Sequence, residues 1–303
     1  MITLGAIGPG DREGALRCPE RLPVSSAPSP FSPSSSAPLI SRRLRAAGCV
    51  FAEDEAQLLV AAARTAAELT AMVDRRVAGQ PLEYILGWAE FCGLRIAIEA
   101  GVFVPRRRTE FLVQQALEQA GASPVRIVVD LCCGSGAVAA ALLAALPGAE
   151  VHAADVEPAA VRCARRNLAA VGGRVHEGDL FAALPEELRG GVDLLVVNAP
   201  YVPTDAIGLM PPEAREHEPR LALDGGTDGL DVLRRVVAGG PSWLAPGGSL
   251  LVETSARQAP SLVDALAGAE LSARIEVSDE LAATVVIAAF QAGDPVSLDR
   301  GGR

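Results

Sequence analysis

The spacing of apolar residues changes character along the chain. Over 39–78 it is helical: Leu58, Leu59, Ala62, Ala66, Leu69 and Val73 share one face, Glu53, Asp54 and Glu55 precede them, and Gly79 and Pro81 follow. A small helical lobe is predicted over 39–87. Next, Leu94, Ile96 and Ile98 alternate after Gly93, predicting a connecting β-hairpin over 88–105. Pro105 and the basic run Arg106, Arg107 and Arg108 follow, and Thr109 can cap a helix running to about Ala120.

Beyond Pro124 strands and helices alternate. Val125–Leu131 is an apolar run apart from Arg126 and Asp130, as in a strand buried on both faces. Further strands are predicted at 150–154, around Val175, and at 192–197, 249–253, 271–277 and 283–290. Helices are predicted at 136–146, 157–171, 228–243 and 257–267. This order describes an α/β sheet covered on both faces, ending in two strands without a helix between them, hence an antiparallel hairpin. With the helix before it, this unit spans 106–292. The Ser-, Pro- and Ala-rich stretch Pro23–Pro38 cannot build a core, so 1–38 reads as a disordered tail and 293–303 as a flexible one.

Composition narrows the picture. Half of the 303 residues are apolar but aromatics are 4 %, so Ala, Val and Leu must fill the core. The net charge of −10 argues against binding duplex nucleic acid, where neutralising phosphates dominates affinity. The six cysteines, 18, 49, 92, 132, 133 and 163, show no C-x-x-C pair, and His152, His176 and His217 are scattered. No metal site is expected. Without a membrane-length apolar run or an export signal, the expected compartment is the cytoplasm.

The first strand of the alternating region runs into Asp130-Leu131-Cys132-Cys133-Gly134-Ser135-Gly136. Glycines here let the backbone turn and approach a ligand at the carboxyl end of the sheet. Asp130 can face a cationic ligand, and Asp155, ending the second strand, can take two ribose hydroxyls. Gly178-Asp179-Leu180 follows the third strand, where an acid can hold an adenine amino group. NAD suits Asp155 equally. Asp130, Asp179 and the tetrapeptide Asn198-Ala199-Pro200-Tyr201 after the fourth strand lean away from it.

With that tetrapeptide, the chain from about 50 to 292 resembles the HemK/PrmC protein-(glutamine-N5) methyltransferases, within the amino-methyltransferases marked by Asn-Pro-Pro-Tyr. The resemblance extends to Gly79-Gln80-Pro81-Leu82-Glu83-Tyr84-Ile85-Leu86-Gly87, Glu90-Phe91, Gly93-Leu94 and Val104-Pro105-Arg106. It continues in the segment Glu218 to Gly226, in Asp228-Gly229-Leu230, and in Pro246-Gly247-Gly248 with Glu253. It departs in three places. Ala199 replaces the first proline, Cys132 stands where the loop often begins with glycine, and Arg107-Arg108-Thr109-Glu110 replaces Pro-Glu-Thr-Glu.

The resemblance implies a Rossmann-like class I methyltransferase sheet of seven strands. It implies S-adenosylmethionine as cofactor, held by Asp130, Cys132, Gly134, Gly136, Asp155, Asp179, Leu180 and Asn198. The implied substrate is a protein with an exposed glutamine, a peptide-chain release factor first. The Asn198 side-chain oxygen and the Ala199 carbonyl would accept the two amide hydrogens, Pro200 would stiffen the turn, and Tyr201 would stack on the amide plane. An adenine or guanine amino-methyltransferase and a non-catalytic cofactor-binding module are the competing readings.

Overall fold

The computed structural model of the protein describes residues 36–122, 124–269 and 271–289. The expected tails lie outside these residues except at 36–38, where Ala37 and Pro38 already open a helix. A proline suits the first turn because its missing N–H has no acceptor there. The N-terminal helices are α1 (Ala37–Ala46), α2 (Ala52–Ala62), α3 (Ala66–Val77) and α4 (Leu82–Leu86).

The helical spacing read across Leu58 to Val73 crosses a break. Ala63 and Thr65 are extended, and the Thr65 hydroxyl accepts the Glu68 N–H at 3.1 Å, capping α3. Leu59, Leu69 and Val73 therefore bury together with Leu44 and Met72, while Leu58 is left exposed.

The hairpin pairs β1 (Trp88–Phe91) with β2 (Leu94–Ala97) around Cys92 and Gly93, both at positive φ. Such a two-residue turn matches the twist of the strands it joins. After a 3-10 turn over Arg107–Thr109 come α5 (Glu110–Ala122), β3 (Ile127–Leu131), α6 (Ala137–Ala145), β4 (Glu150–Asp155), α7 (Pro158–Leu168) and β5 (Arg174–Glu177). The chain continues through β6 (Val192–Val197), α8 (Pro212–His217), α9 (Asp231–Gly239), β7 (Leu244–Thr254), α10 (Ala259–Gly268), β8 (Ser272–Ser278) and β9 (Ala283–Ala289).

The seven strands lie in the order β5-β4-β3-β6-β7-β9-β8, with β9 antiparallel to both neighbours. This is the Rossmann-like sheet that the resemblance implied. Apolar runs supply both faces: Leu194 and Val196 pack with α5, α6 and α7, while Leu195 and Val197 pack with α9 and α10. The final strand is not at the edge. Apolar Ala283–Ala289 is buried between β7 and β8, whereas β8 has only exposed and half-buried positions and forms the rim. On α7, Asn167 fastens the hairpin to the sheet: its Nδ2 donates to the carbonyls of Ala97 and Ser135, and its Oδ1 accepts the Ala97 N–H.

Candidate active site

A cavity of about 480 Å³ opens at the carboxyl ends of β3, β4 and β6. The chain lays β4 and β5 on one side of β3 and β6 on the other, which makes the β3–β6 boundary a natural crevice for a ligand. Leu131 lies opposite Val197 across that boundary. The loop Cys132–Gly136 and the tetrapeptide Asn198–Tyr201 therefore leave the sheet side by side.

Asp130, Cys132, Gly134, Asp155, Asp179, Leu180 and the whole tetrapeptide line this cavity. Gly136 does not. It has φ +76°, and a Cβ there would sit 3.1 Å from Ala164 Cβ, so this glycine lets α6 start close against α7. Cys132 and Leu180 are non-glycine residues in the left-handed region, at φ +58° and +49°. Such strain concentrates at functional sites.

On the β4 side, both oxygens of Asp155 are oriented by main chain. Oδ2 accepts the Gly134 N–H at 2.8 Å and Oδ1 the Glu157 N–H at 2.9 Å. Each oxygen keeps acceptor capacity for a hydroxyl. Burial raises the Asp155 pKa. Asp130 is buried more deeply; desolvation pushes its carboxyl up to about 8, although the Ala139 N–H donates to it. Asp179 is exposed at the rim, where one carboxylate oxygen pairs with Arg235 at 2.6 Å.

On the β6 side, Asn198 Nδ2 donates to the Thr109 hydroxyl at 3.3 Å. Thr109, expected as a helix cap, lies in the 3-10 turn before α5 and touches the tetrapeptide. The Tyr201 hydroxyl donates to Glu253 Oε1 at 3.1 Å, and Arg108 Nε donates to the same oxygen at 3.2 Å. Glu253 is only 1 % exposed. Its Oε2 has no hydrogen-bond partner among the described residues. Burial, and then the Glu253 charge, raise the Tyr201 pKa. Behind the tetrapeptide, Gln258 Nε2 donates to the carbonyls of Tyr201 and Asp228.

The methyltransferase small domain family matches residues 93–209. The release factor glutamine methyltransferase of Geobacter sulfurreducens is 40 % identical over 236 residues, covering 77 % of this chain and 76 % of the relative. The chain belongs to the release factor glutamine methyltransferase family.

A Streptomyces pristinaespiralis protein named 4-amino-L-phenylalanine/4-methylamino-L-phenylalanine methyltransferase is 42 % identical, covering 63 % of this chain and 66 % of its own length. Among solved structures, the release-factor-specific protein-(glutamine-N5) methyltransferase of Alicyclobacillus acidocaldarius superposes with a TM-score of 0.41 at 25 % identity, over 62 % of this chain and 94 % of that one.

The cofactor of this methyltransferase is S-adenosylmethionine, and the residues present fit it. A Cβ built on Gly134 meets no atom within 4 Å, so the loop is open on its ligand side. Asp155 offers a paired, main-chain-oriented acceptor to a diol, and buried Asp130 suits a cationic group.

Several site residues were not assigned roles from sequence. Gly225 and Gly229 brace the tetrapeptide. A Cβ on Gly225 would lie 2.7 Å from the Pro200 carbonyl oxygen, and one on Gly229, at φ +77°, would overlap that of Tyr201. Glu218 is buried and accepts both the Val104 N–H and Arg106. Two of the three arginines at 106–108 thus hold buried carboxylates. His217 does not reach the tetrapeptide network through any described side-chain bond, and its carbonyl accepts from Tyr84 at 3.5 Å.

His152 and His176, far apart in sequence, share a hydrogen bond of 2.8 Å between Nδ1 and Nε2, with their rings nearly parallel and their centroids 5.1 Å apart. Among the described residues no group of His, Cys, Asp or Glu could hold a metal ion. Cys49, Cys132, Cys133 and Cys163 are free thiols. Among the described residues no helix is long and apolar enough to cross a membrane.

Proposed function

We propose that this chain transfers the methyl group of S-adenosylmethionine to the side-chain amide nitrogen of a glutamine in a protein, and that a peptide-chain release factor is that protein. The observation that carries the reading is the state of Asn198. Its NH₂ end is taken by Thr109, so its carbonyl oxygen is left as an acceptor at the cavity wall.

An amide nitrogen is a weak nucleophile because its lone pair is delocalised. Bound S-adenosylmethionine supplies an electrophilic methyl group on a sulfonium. Asn198 Oδ1 and the Ala199 main-chain carbonyl accept the two N–H groups of the substrate amide and so orient its nitrogen. Loss of the proline ring at 199 leaves that carbonyl in place. Tyr201, held by Glu253, packs against the amide plane. Transfer would break the methyl–sulfur bond and leave the cofactor's sulfur as a neutral thioether, and the methylated nitrogen would lose one N–H proton to solvent. Positioning of this kind can supply about 7–11 kcal/mol, so no strong base is required.

On the cofactor side, Asp155 would take the ribose hydroxyls, Asp130 the cationic end, and the Asp179–Leu180 rim the adenine, with the oxygen of Asp179 not facing Arg235. Cys132, Gly134 and Gly136 shape the loop. We further propose that the helical lobe (39–87), the hairpin (88–105) and the catalytic unit (106–292) act as a partner-holding part, a connector and a transferase. Arg76 of the lobe supports this: buried against Glu55, it also reaches Glu213 of α8 at 3.0 Å. Acting on a translation factor, the chain would work in the cytoplasm.

The test offers purified release factors and their Gln→Ala forms with methyl-labelled cofactor, beside DNA, RNA and 4-amino-L-phenylalanine. Labelling of the release factor that vanishes with the glutamine is expected. Labelling of nucleic acid or the free amine alone would overturn the proposal.

A further inference from the structure

Where the family resemblance has glutamate, this chain has Arg108. That change places a cation inside the active-site cavity. Arg108 lines the wall beside Thr109, Asn198 and Tyr201, with its guanidinium carbon 5.7 Å from the centre of the Tyr201 ring. Its side chain is 44 % exposed while its partner carboxylate on Glu253 is 2 % exposed. The arginine is therefore anchored at its inner end and open at its outer one.

The way it is anchored matters. A guanidinium has five N–H groups, and its two terminal nitrogens form the edge that best fits a carboxylate. Arg108 donates to Glu253 through Nε. Its Nη1 and Nη2 have no hydrogen-bond partner among the described residues, so the end-on fork is available on the substrate side of the cavity. The cavity carries charge of both signs. Asp130, Asp155, Glu157 and Asp179 line the cofactor side with Arg235 paired to Asp179, and Arg106 and Arg108 line the other beside Glu213 and Asp224, which are paired with Arg76 and Arg220. Arg106 is occupied by both oxygens of Glu218. Arg107 makes no ion pair among the described residues, which leaves the 106–108 strip with one positive charge beyond its two carboxylate partners.

We propose that Arg108 is a specificity-determining residue that selects substrates carrying a carboxylate close to the glutamine being methylated. This rests on the reading of a protein glutamine as substrate. The carboxylate would be an Asp or Glu side chain in the loop that carries the glutamine. It would take the free Nη1–Nη2 edge of Arg108 while Glu253 holds Nε from behind.

Binding and turnover separate the two readings. Fluorescent peptides with a Gly-Gly-Gln centre are made with Asp, Asn or Lys at each remaining position within about three residues of the glutamine, a reach comparable to one long side chain plus a short extended segment. Anisotropy measures their binding to the protein loaded with S-adenosylhomocysteine. At one position or more, Asp should bind on the order of ten-fold tighter than Lys, as a charge-assisted hydrogen bond allows. Arg108→Gln should bring that ratio close to one, and Arg108→Lys should retain part of it, with cofactor affinity unchanged in both.

Because Arg108→Gln leaves Glu253 buried without its cation, the double variant Arg108→Gln with Glu253→Gln is measured as well, and the charge preference should be absent there too. Equal binding of Asp and Lys peptides to the wild type, or an undiminished ratio in Arg108→Gln, refutes the proposal. Turnover of the same peptides is scored independently. A charge preference in binding without methylation of any glutamine peptide would support selection by Arg108 and sink the glutamine reading.

Discussion

Along the β3–β4 side of the cavity the wall is largely main chain: the turn Cys132–Gly136, with Asp155 pinned by the N–H groups of Gly134 and Glu157. Along the β6 side the wall is side chains drawn from distant segments. Thr109 holds Asn198, Glu253 holds Tyr201 and Arg108, and Gln258 holds the carbonyl behind them. Both sides sit at the same crevice of one sheet, yet they tolerate change differently. A main-chain wall keeps its shape under most side-chain changes and fails when a glycine is lost. A side-chain wall can lose one group while the fold stands, because each hydrogen bond contributes only about 1 kcal/mol to stability.

The sharpest way to separate the two sides is Asn198→Ala. Turnover on a glutamine substrate should fall about 100-fold, as when one preorganised polar group is removed, while calorimetric affinity for the cofactor stays as in the wild type. Equal turnover would reduce the tetrapeptide to a turn.

Gly229→Ala tests whether the side-chain wall also depends on tight backbone packing. At φ +77°, with a Cβ overlapping the Tyr201 carbonyl, it should destabilise the protein by about 2 kcal/mol and slow turnover in the same variant. Chemical unfolding indistinguishable from wild type would show that the Asp228–Leu230 segment does not brace the tetrapeptide.

The cofactor side is probed by Asp155→Ala. Loss of a charged acceptor should weaken S-adenosylmethionine binding about ten-fold or more, with the maximal rate at saturating cofactor reduced much less. If the rate falls and the affinity holds, the division between the two sides is wrong.

The smallest effect is a slope. Burial holds the Asp130 pKa near 8. Between the ordinary carboxyl range and that value the folded protein retains a proton that the unfolded chain releases. Stability without cofactor therefore falls as pH rises through this window, and levels off above it. Asp130→Asn keeps an acceptor for the Ala139 N–H and should flatten part of the decline, leaving the contribution of Asp155, whose pKa is also raised. Urea midpoints at about pH 5 and about pH 8 measure it; an unchanged slope would mean that Asp130 is ionised in the folded protein.

What the chain by itself determined is the repeating α/β order, the glycine turn, and the identity of Asn198 to Tyr201, because each depends on near neighbours: apolar period, turn-forming residues, and a short motif closing a strand. The break between α2 and α3 was visible only as Thr65, three residues before Glu68, a capping signal hidden within an apolar period that seemed continuous. Tertiary structure decided the rest. The pairing of β3 with β6 brought the two motifs together, and the insertion of β9 between β7 and β8 put Ala283–Ala289 inside the sheet. Thr109, Glu253, Gly229 and Gln258 reached the tetrapeptide from 28 to 89 positions away. No local pattern encodes such contacts. They follow from which strand ends become neighbours, and that is fixed by burying both faces of the sheet at once.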